Sequence, residues 1–256
     1  MTEETKENYR EWFGERTTFF REFKLHFGQC DARGRISLPS LLLITSDTAV
    51  EDYFQRGLSV ETLAANGIVI LVSRLSFSIH KYPRGGERLL LKTWEEKPDG
   101  MLLSRKYELE NAAGESLVSG TSLWLIADPA TRRLIKPSAF TMRPEADFVI
   151  PVDCPPCSKI HRPQDMQLLG ERTVGFSDLD SNGHTNNSRY AAFALDALPE
   201  AFQTGDVQNF RINYAKEAKG GDRISLSGYF SDDGKTALVA GDVQGRTCFE
   251  AEITLR

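Results

Sequence analysis

The sequence predicts an α+β protein in which one unit, a long helix followed by an antiparallel sheet that wraps around it, occurs twice. Three observations lead to this fold class. Each half of the 256 residues contains one long apolar segment. Several segments of alternating polarity follow it, and short stretches of the first half recur in the second in the same order.

The first half contains one predicted helix and four predicted strands. Residues 38–54 are long and apolar enough for a buried helix, and Pro39 fits its first turn, where a missing N–H costs nothing. Residues 71–79 alternate in polarity as a half-buried strand does. Further strands are predicted at 88–95, 101–110 and 117–127, with the turns KPDG (97–100) and NAAGES (111–116) between them.

The second half repeats this order. A strand is predicted at 172–176 and a helix at 188–198, which Pro199 ends. The stretch GGERLLL at 85–91 matches GGDRISL at 220–226, and FGQCDARGR at 27–35 matches FSDLDSNGH at 176–184. These matches indicate a duplication. The remaining strands are predicted at 207–216, 223–230, 236–241 and 246–255.

The connector between the halves is rich in proline. Residues 137–165 contain six prolines, which is typical of a domain boundary. We therefore predict a leader at 1–15, a first domain at 16–136, a linker at 137–165 and a second domain at 166–256.

Composition and charge exclude several classes of protein. A content of 40% hydrophobic and 26% charged residues is typical of a soluble globular protein. No apolar run approaches the roughly 20 residues that cross a bilayer. The polar, acidic start MTEETKENYR is neither a signal peptide nor an Arg-rich transit peptide, so we expect a cytoplasmic protein without membrane insertion. A net charge of −5 argues against nucleic-acid binding.

Metal and redox motifs are weak. Among the four cysteines only Cys154 and Cys157, in CPPC, have suggestive spacing. A zinc site needs a second pair of ligands at similar spacing, and the Pro-rich setting favours two thiols in a linker over a redox pair. The sequence contains no G-x-S-x-G, H-E-x-x-H or P-loop motif. We predict neither a metal nor a cofactor.

The stretch DLDSNGHTNNSRY (178–190) begins like a calcium loop. An EF-hand loop needs Glu at its twelfth position and a helix on each side, but Arg189 stands there and a predicted strand precedes the loop. The calcium interpretation therefore fails. An Asx-rich turn ahead of a helix is the structural alternative, with Asn186 or Asn187 as the helix cap.

Aligned on the repeats, the two halves differ in their polar residues. Asp, Asn, His and Glu occur together only in the second half. A structural turn would have little reason to lose its His and Asn in one copy, so we predict one active site per chain, in the C-terminal half. The aligned pairs are Asp180 with Asp31, Asn182 with Arg33, His184 with Arg35, and Glu217 with Tyr82.

Three stretches resemble the acyl-acyl carrier protein (acyl-ACP) thioesterase family: residues 178–190, SRLSFSIHKYPR at 73–84 and YAKEA at 214–218. The resemblance spans roughly residues 16–255. It implies two tandem hotdog folds and hydrolysis of the fatty acyl thioester on acyl carrier protein, which releases free fatty acid and terminates fatty acid synthesis. Carried over residue by residue, the family's catalytic positions are Asp180, Asn182, His184 and Glu217.

The resemblance leaves several roles open. His184 suits general-base duty or water positioning, and Glu217 can share the water or act as the base if partly desolvated. Asp180 can orient His184 or hold the loop, and Asn182 can polarise the thioester carbonyl or fix the water. Attack by a carboxylate through an anhydride also stays open. Plant members often carry Cys after this Glu, whereas Ala218 here excludes a Cys–His mechanism at that position. The expected lack of a transit peptide also points to a bacterial-type member.

The remaining expectations concern the partner protein, the alternative functions and the core of the second helix. Because acyl carrier protein is strongly acidic, we expect a locally basic docking surface. An acyl-CoA thioesterase, an enoyl hydratase and a non-catalytic acyl-binding protein are the alternatives. Chain-length preference stays open, as does the choice between monomer and homodimer. Tyr190, Phe193 and Ala197 share a helical face and are predicted as core. The docking candidates are Arg132, Arg133, Lys136, Arg211, Lys216 and Lys219.

Overall fold

The computed structural model describes residues 9–256. These residues form two compact units, in which every pairing between strands is antiparallel. The first unit runs to Val72 and resumes at His80–Cys154, and the second combines Ser73–Ile79 with Pro155–Arg256. The predicted leader at 1–15 lies outside the described residues over its first eight positions, and strand β1 (Tyr9–Phe13) begins directly afterwards.

The first unit contains two helices, α1 (Leu38–Gln55) and α2 (Val60–Ala65). The Ser37 hydroxyl caps α1 by accepting the Ser40 N–H at 3.3 Å. Besides β1, its strands are β2 (Phe19–Lys24), β4 (Arg88–Asp99), β5 (Leu102–Asn111), β6 (Ser116–Ala127) and β7 (Leu134–Ile135). They lie in the order β1-β2-β4-β5-β6, and β7 pairs with the C-terminal end of β6.

The second unit contains helices α3 (Asn187–Ala197) and α4 (Glu200–Thr204). Its sheet has the order β3-β9-β12-β11-β10-β8, with the Ser73–Ile79 part of β3 pairing with β9. Its strands are β3 (Val69–Ile79), β8 (Gln167–Thr173), β9 (Val207–Tyr214), β10 (Arg223–Phe230), β11 (Thr236–Val243) and β12 (Arg246–Leu255).

Each long helix packs its apolar face on the sheet of its own unit. In α3, Tyr190 and Phe193 are 2% and 1% exposed, and the helix contacts β8, β11 and β12. The prediction that these two side chains belong to the core is confirmed. In α1, Leu41 and Leu42 are buried in the same way. Each long helix therefore covers one face of the sheet in its own unit.

Most predicted elements are confirmed, with shifts of a few residues at their ends. The strand expected at 172–176 instead occupies Gln167–Thr173, and a 3-10 turn follows at Phe176–Asp178. The shift has a local cause, because the Asp178 carboxylate accepts the Gly175 N–H at 2.9 Å and turns the chain there. Strands β1 and β2 and the short helices α2 and α4 were not predicted from the sequence.

A buried ion cluster lies beneath α1 in the first unit. Asp52 is fully buried, and its carboxylate binds Arg105 and Arg56, each at 2.7 Å. Glu95 binds Arg143 at 2.9 Å. Removing one partner from such a cluster leaves an uncompensated buried charge, which is strongly destabilising. No helix among residues 9–256 is both long and apolar enough to cross a lipid bilayer.

Candidate active site

A buried carboxylate anchors the turn that carries the predicted site. Asp178 is 1% exposed, and its carboxylate accepts the Gly175 N–H and the Arg189 Nε–H, both at 2.9 Å. Burial alone would raise the pKa of Asp178, but the Gly175 N–H and the Arg189 guanidinium outweigh burial and hold the pKa below its ordinary value. Arg189, the residue that replaces the calcium-binding Glu, thus ties the turn to α3.

Asp180 holds the next part of the turn through the backbone. Its Oδ1 accepts the N–H of Asn182 at 2.8 Å and the N–H of His184 at 3.3 Å. Gly183 adopts φ +76°, a left-handed conformation that glycine takes without strain. Of the two roles expected for Asp180, the contacts favour holding the loop, and Asp180 reaches His184 through its main chain.

His184 and Glu217 meet across two chain segments. The Thr185 N–H donates to the Ala218 carbonyl at 2.9 Å, and His184 forms an isolated antiparallel bridge with Lys219. This register places His184 Nε2 3.3 Å from Glu217 Oε2, with the two side chains 33% and 56% exposed. An imidazole and a carboxylate at this distance orient each other, and both remain accessible to a water molecule and a substrate.

The two asparagines have different environments. Asn182 is exposed at the tip of the turn. The Asn186 side chain accepts the Ser188 N–H at 2.9 Å and caps α3, as predicted for Asn186 or Asn187. The Arg189 N–H donates to the Asn186 carbonyl. Because these two N–H groups are engaged, neither is available as a donor to an oxyanion at the first turn of α3.

The first unit reproduces this backbone with other side chains. Asp31 Oδ1 accepts the N–H groups of Arg33 and Arg35, at 2.9 and 3.0 Å, as Asp180 does in the second unit. Arg35 forms an antiparallel bridge with Arg84, the counterpart of the bridge between His184 and Lys219. This register places Tyr82 at the position of Glu217, as aligned from the sequence.

The first-unit turn has no imidazole–carboxylate pair at this position. The Arg35 guanidinium binds Asp31 Oδ2 at 3.0 Å and lies 4.0 Å from the centroid of the Tyr82 ring. Arg35 is 4% exposed, so its charge is held in the protein by a carboxylate and an aromatic face. This arrangement stabilises the turn and presents no exposed base.

The docking candidates differ in their availability. Arg132, Arg133 and Lys136 are exposed in the first unit, and Lys216 and Lys219 are exposed on the segment that carries Glu217. Arg211 is engaged, because its guanidinium binds Glu252 and Ser158, both at 2.8 Å. We therefore leave Arg211 out of the docking group.

Within the described residues, no three His, Cys, Asp or Glu side chains are arranged to hold a metal ion. Cys154 Sγ lies 3.3 Å from Thr121 Oγ1. Neither observation assigns a chemical role to Cys154 or Cys157.

Comparison with known proteins identifies the family. The acyl-ACP thioesterase N-terminal domain matches residues 16–138, and the C-terminal domain of that family matches residues 162–254. The chain therefore belongs to the acyl-ACP thioesterase family.

Curated relatives are distant and longer than this chain. The acyl-[acyl-carrier-protein] hydrolase FATB3 of Cuphea viscosissima is 24% identical over 220 residues, which cover 79% of this chain and 52% of that protein. The palmitoyl-acyl carrier protein thioesterase of Arabidopsis thaliana is 24% identical over 88% of this chain and 58% of its own length. The chain thus spans between half and three fifths of the length of these relatives.

Solved structures establish the fold. An acyl-ACP thioesterase from Bacteroides thetaiotaomicron superimposes with a TM-score of 0.84 at 22% identity, covering 93% of this chain and 98% of its own. The 12:0-ACP thioesterase of Umbellularia californica gives 0.80 at 18% identity, covering 93% and 97%. The predicted hotdog fold is confirmed for this chain.

Proposed function

We propose that the protein hydrolyses the thioester of fatty acyl-ACP and releases a free fatty acid. The observation that carries this proposal is the 3.3 Å contact between His184 and Glu217, which occurs on the matched C-terminal domain of a thioesterase family. The first-unit turn, built on the same backbone, has Arg35 and Tyr82 at these positions. One catalytic centre per chain follows.

The pair of side chains suits activation of water. A water molecule bound by the imidazole and the carboxylate loses a proton to the pair as its oxygen attacks the thioester carbonyl carbon. The tetrahedral intermediate collapses with cleavage of the C–S bond, and the pair returns the proton to the leaving thiolate. The products are a fatty acid and the carrier thiol. We assign the exposed Asn182 amide to stabilisation of the carbonyl oxygen, while Asp180 holds the turn.

The experiment that tests this function is thiol release from acyl carrier protein loaded with saturated chains of increasing length. His184→Ala and Glu217→Ala should each lower kcat by about 10²- to 10⁴-fold, the usual contribution of a general acid or base. Arg33→Ala is the matched control, because Arg33 stands opposite Asn182 in the first unit, and it should leave kcat within about twofold, since surface changes away from a site have small effects.

The alternatives give distinct results. Turnover of acyl-CoA with inert carrier-bound chains would identify an acyl-CoA thioesterase, and hydration of an enoyl thioester would identify a hydratase. Stoichiometric binding without turnover would identify an acyl-binding protein and overturn the proposed function.

The same proposal includes an acidic carrier as partner. Lys216 and Lys219 flank Glu217 in sequence and are exposed, so their charges can attract an acidic protein to the site. Reversal of both to Glu should raise KM for acyl-ACP by about tenfold and leave KM for acyl-pantetheine, which carries no protein, within about twofold. Equal effects on the two substrates would remove these lysines from the docking surface. A role in fatty acid synthesis in the cytoplasm belongs to this proposal.

A further inference from the structure

Two side chains hold the peptide groups that flank Ala218, the residue directly after Glu217. The Ala218 N–H donates to the Tyr190 hydroxyl at 3.0 Å. The Ala218 carbonyl accepts both the N–H of Thr185 at 2.9 Å and the hydroxyl of Thr185 at 2.8 Å. Ala218 is completely buried. Both hydrogen-bonding groups of this residue are therefore fixed by the chain segment that carries His184.

The Tyr190 phenol keeps its proton, because burial raises its pKa above the ordinary value. We call the hydrogen bonds that Tyr190 and Thr185 make to Ala218 the Ala218 clamp.

Packing fixes the ring of Tyr190. Its centroid lies 5.1 Å from that of Phe249 and 6.0 Å from that of Phe193, and Tyr190 is 2% exposed. A rigid, buried phenol holds its hydroxyl in one place. The Ala218 N–H is consequently bound to a group that cannot follow it if the segment moves.

The first unit lacks the polar groups of the clamp. Ile36, Leu41 and Pro83 occupy the positions of Thr185, Tyr190 and Ala218. The backbone bond is retained, because the Ile36 N–H donates to the Pro83 carbonyl at 2.9 Å. Pro83 has no N–H to donate, and Leu41 has no hydroxyl to accept one. The clamp therefore occurs only in the unit that carries His184 and Glu217.

The comparison of Tyr190 with Leu41 distinguishes a packing role for this residue from a positioning role. Leu41, 1% exposed, shows that an aliphatic residue satisfies the core at this point of the helix. A buried hydroxyl must find hydrogen-bond partners or cost free energy, so Tyr190 is a more demanding choice than Leu. What the Tyr190 hydroxyl adds, and leucine cannot, is a hydrogen bond that fixes the segment carrying Glu217.

We propose that Tyr190, together with Thr185, is a positioning residue that fixes Glu217 against His184. The inference rests on the proposed function. Tyr190 acts through the backbone of Ala218 and does not touch the substrate. Loosening the clamp should therefore misplace the carboxylate with little effect on substrate binding, and small displacements of a reacting group reduce rates steeply.

The test is Tyr190→Phe, which removes one oxygen and keeps the ring. We expect kcat for acyl-ACP to fall by about tenfold while KM stays within about twofold, because only the geometry of the reacting groups changes. Tyr214→Phe is the matched control. Its hydroxyl donates to the Asn187 carbonyl at 3.1 Å, so Tyr214→Phe also loses a bond between a tyrosine hydroxyl and the backbone but does not release Ala218. Its kcat should stay within about twofold of wild type.

Hydrogen exchange supplies a readout that needs no substrate. In Tyr190→Phe the Ala218 N–H loses its acceptor, so deuterium uptake by peptides covering 215–220 should accelerate, while Tyr214→Phe should leave it unchanged. Unchanged uptake in Tyr190→Phe would overturn the clamp.

Unchanged kcat in Tyr190→Phe, or an equal loss in the control, would overturn the positioning role. Thr185→Val combined with Tyr190→Phe should lose less than the product of the two single losses, since both act on one residue. Wild-type inactivity on every thioester would overturn the proposed function instead, and the exchange measurement would still decide whether Tyr190 holds Ala218.

Discussion

The turn before α1 and the turn before α3 have the same backbone but different side chains. In each, an Asp carboxylate, that of Asp31 or Asp180, accepts two backbone N–H groups. In each, a backbone bridge follows and a side chain caps the helix, Ser37 in one case and Asn186 in the other. The turn itself thus requires this Asp, whatever side chains follow it.

The two turns differ in the other side chains that they carry. Arg35 stacks on Tyr82 at 4.0 Å and is almost completely buried. His184 lies 3.3 Å from Glu217, with both side chains partly exposed. One arrangement satisfies a charge inside the protein, and the other presents two proton-transfer groups to solvent. The same turn backbone therefore carries either a buried ion pair or an accessible imidazole–carboxylate pair, depending on a few side chains.

The largest effect should come from installing the first-unit pair in the second unit. The double variant His184→Arg with Glu217→Tyr replaces both proton-transfer groups, so kcat should fall by at least about 10²-fold. Its fold should persist, because Asp180 stands where Asp31 binds Arg35. Thiol release and the melting temperature measure the two outcomes.

The control for this swap is Tyr82→Phe, which keeps the aromatic face against Arg35 and should leave kcat within about twofold. Substantial activity in the swapped variant would show that the reaction does not depend on His184 and Glu217.

A smaller effect, on stability, should follow from Ala218→Pro, which installs the residue of Pro83. The proline ring would occupy the space between the Ala218 nitrogen and the Tyr190 hydroxyl, which are 3.0 Å apart. The melting temperature should fall by at least about 2–4 °C, since a bonded N–H is lost as well.

Adding Tyr190→Leu, which installs the residue of Leu41, should recover part of this loss by removing the clash. Calorimetry of the single and double variants measures this recovery in melting temperature. Equal melting temperatures for the single and double variants would show that a proline at this position does not require a leucine in place of the tyrosine.

The smallest effect concerns Asp178, whose counterpart is Gln29. The Gln29 side chain accepts the His26 N–H at 2.8 Å, just as Asp178 accepts that of Gly175, so Asp178→Gln should keep the turn and lose only the ion pairs with Arg172 and Arg189. Because the folded-state pKa of Asp178 lies below its ordinary value, its contribution is complete above about pH 4 and is lost as pH falls through the lowered pKa.

Melting temperatures from pH 2.5 to 7 test this dependence. We expect Asp178→Gln to melt about 1–2 °C below wild type at neutral pH, since its partners are partly exposed, and the difference to shrink below about pH 4. A difference that stays constant with pH would show that the carboxylate charge is not involved.

Sequence patterns alone were sufficient to predict the repeat, the fold class and the candidate residues. Periodicity located α1 and most strands because helices and strands impose different spacings on apolar side chains. Aligning the two halves singled out Asn182, His184 and Glu217, because the first-half turn has other residues at these positions. Strands β1 and β2 were missed, and the ion cluster around Asp52 was also missed because its partners lie far apart in sequence.

Which of these groups meet depends on contacts between segments that are distant in sequence. Glu217 lies 33 residues beyond His184 in the sequence, and the bridge between His184 and Lys219 brings the pair together. Tyr190 was predicted as core on helical periodicity, and the structure confirms its burial. Periodicity reports which face of a helix is buried but not what a buried hydroxyl binds, because that partner belongs to a distant segment. The clamp on Ala218 could therefore be recognised only once the two segments were folded side by side.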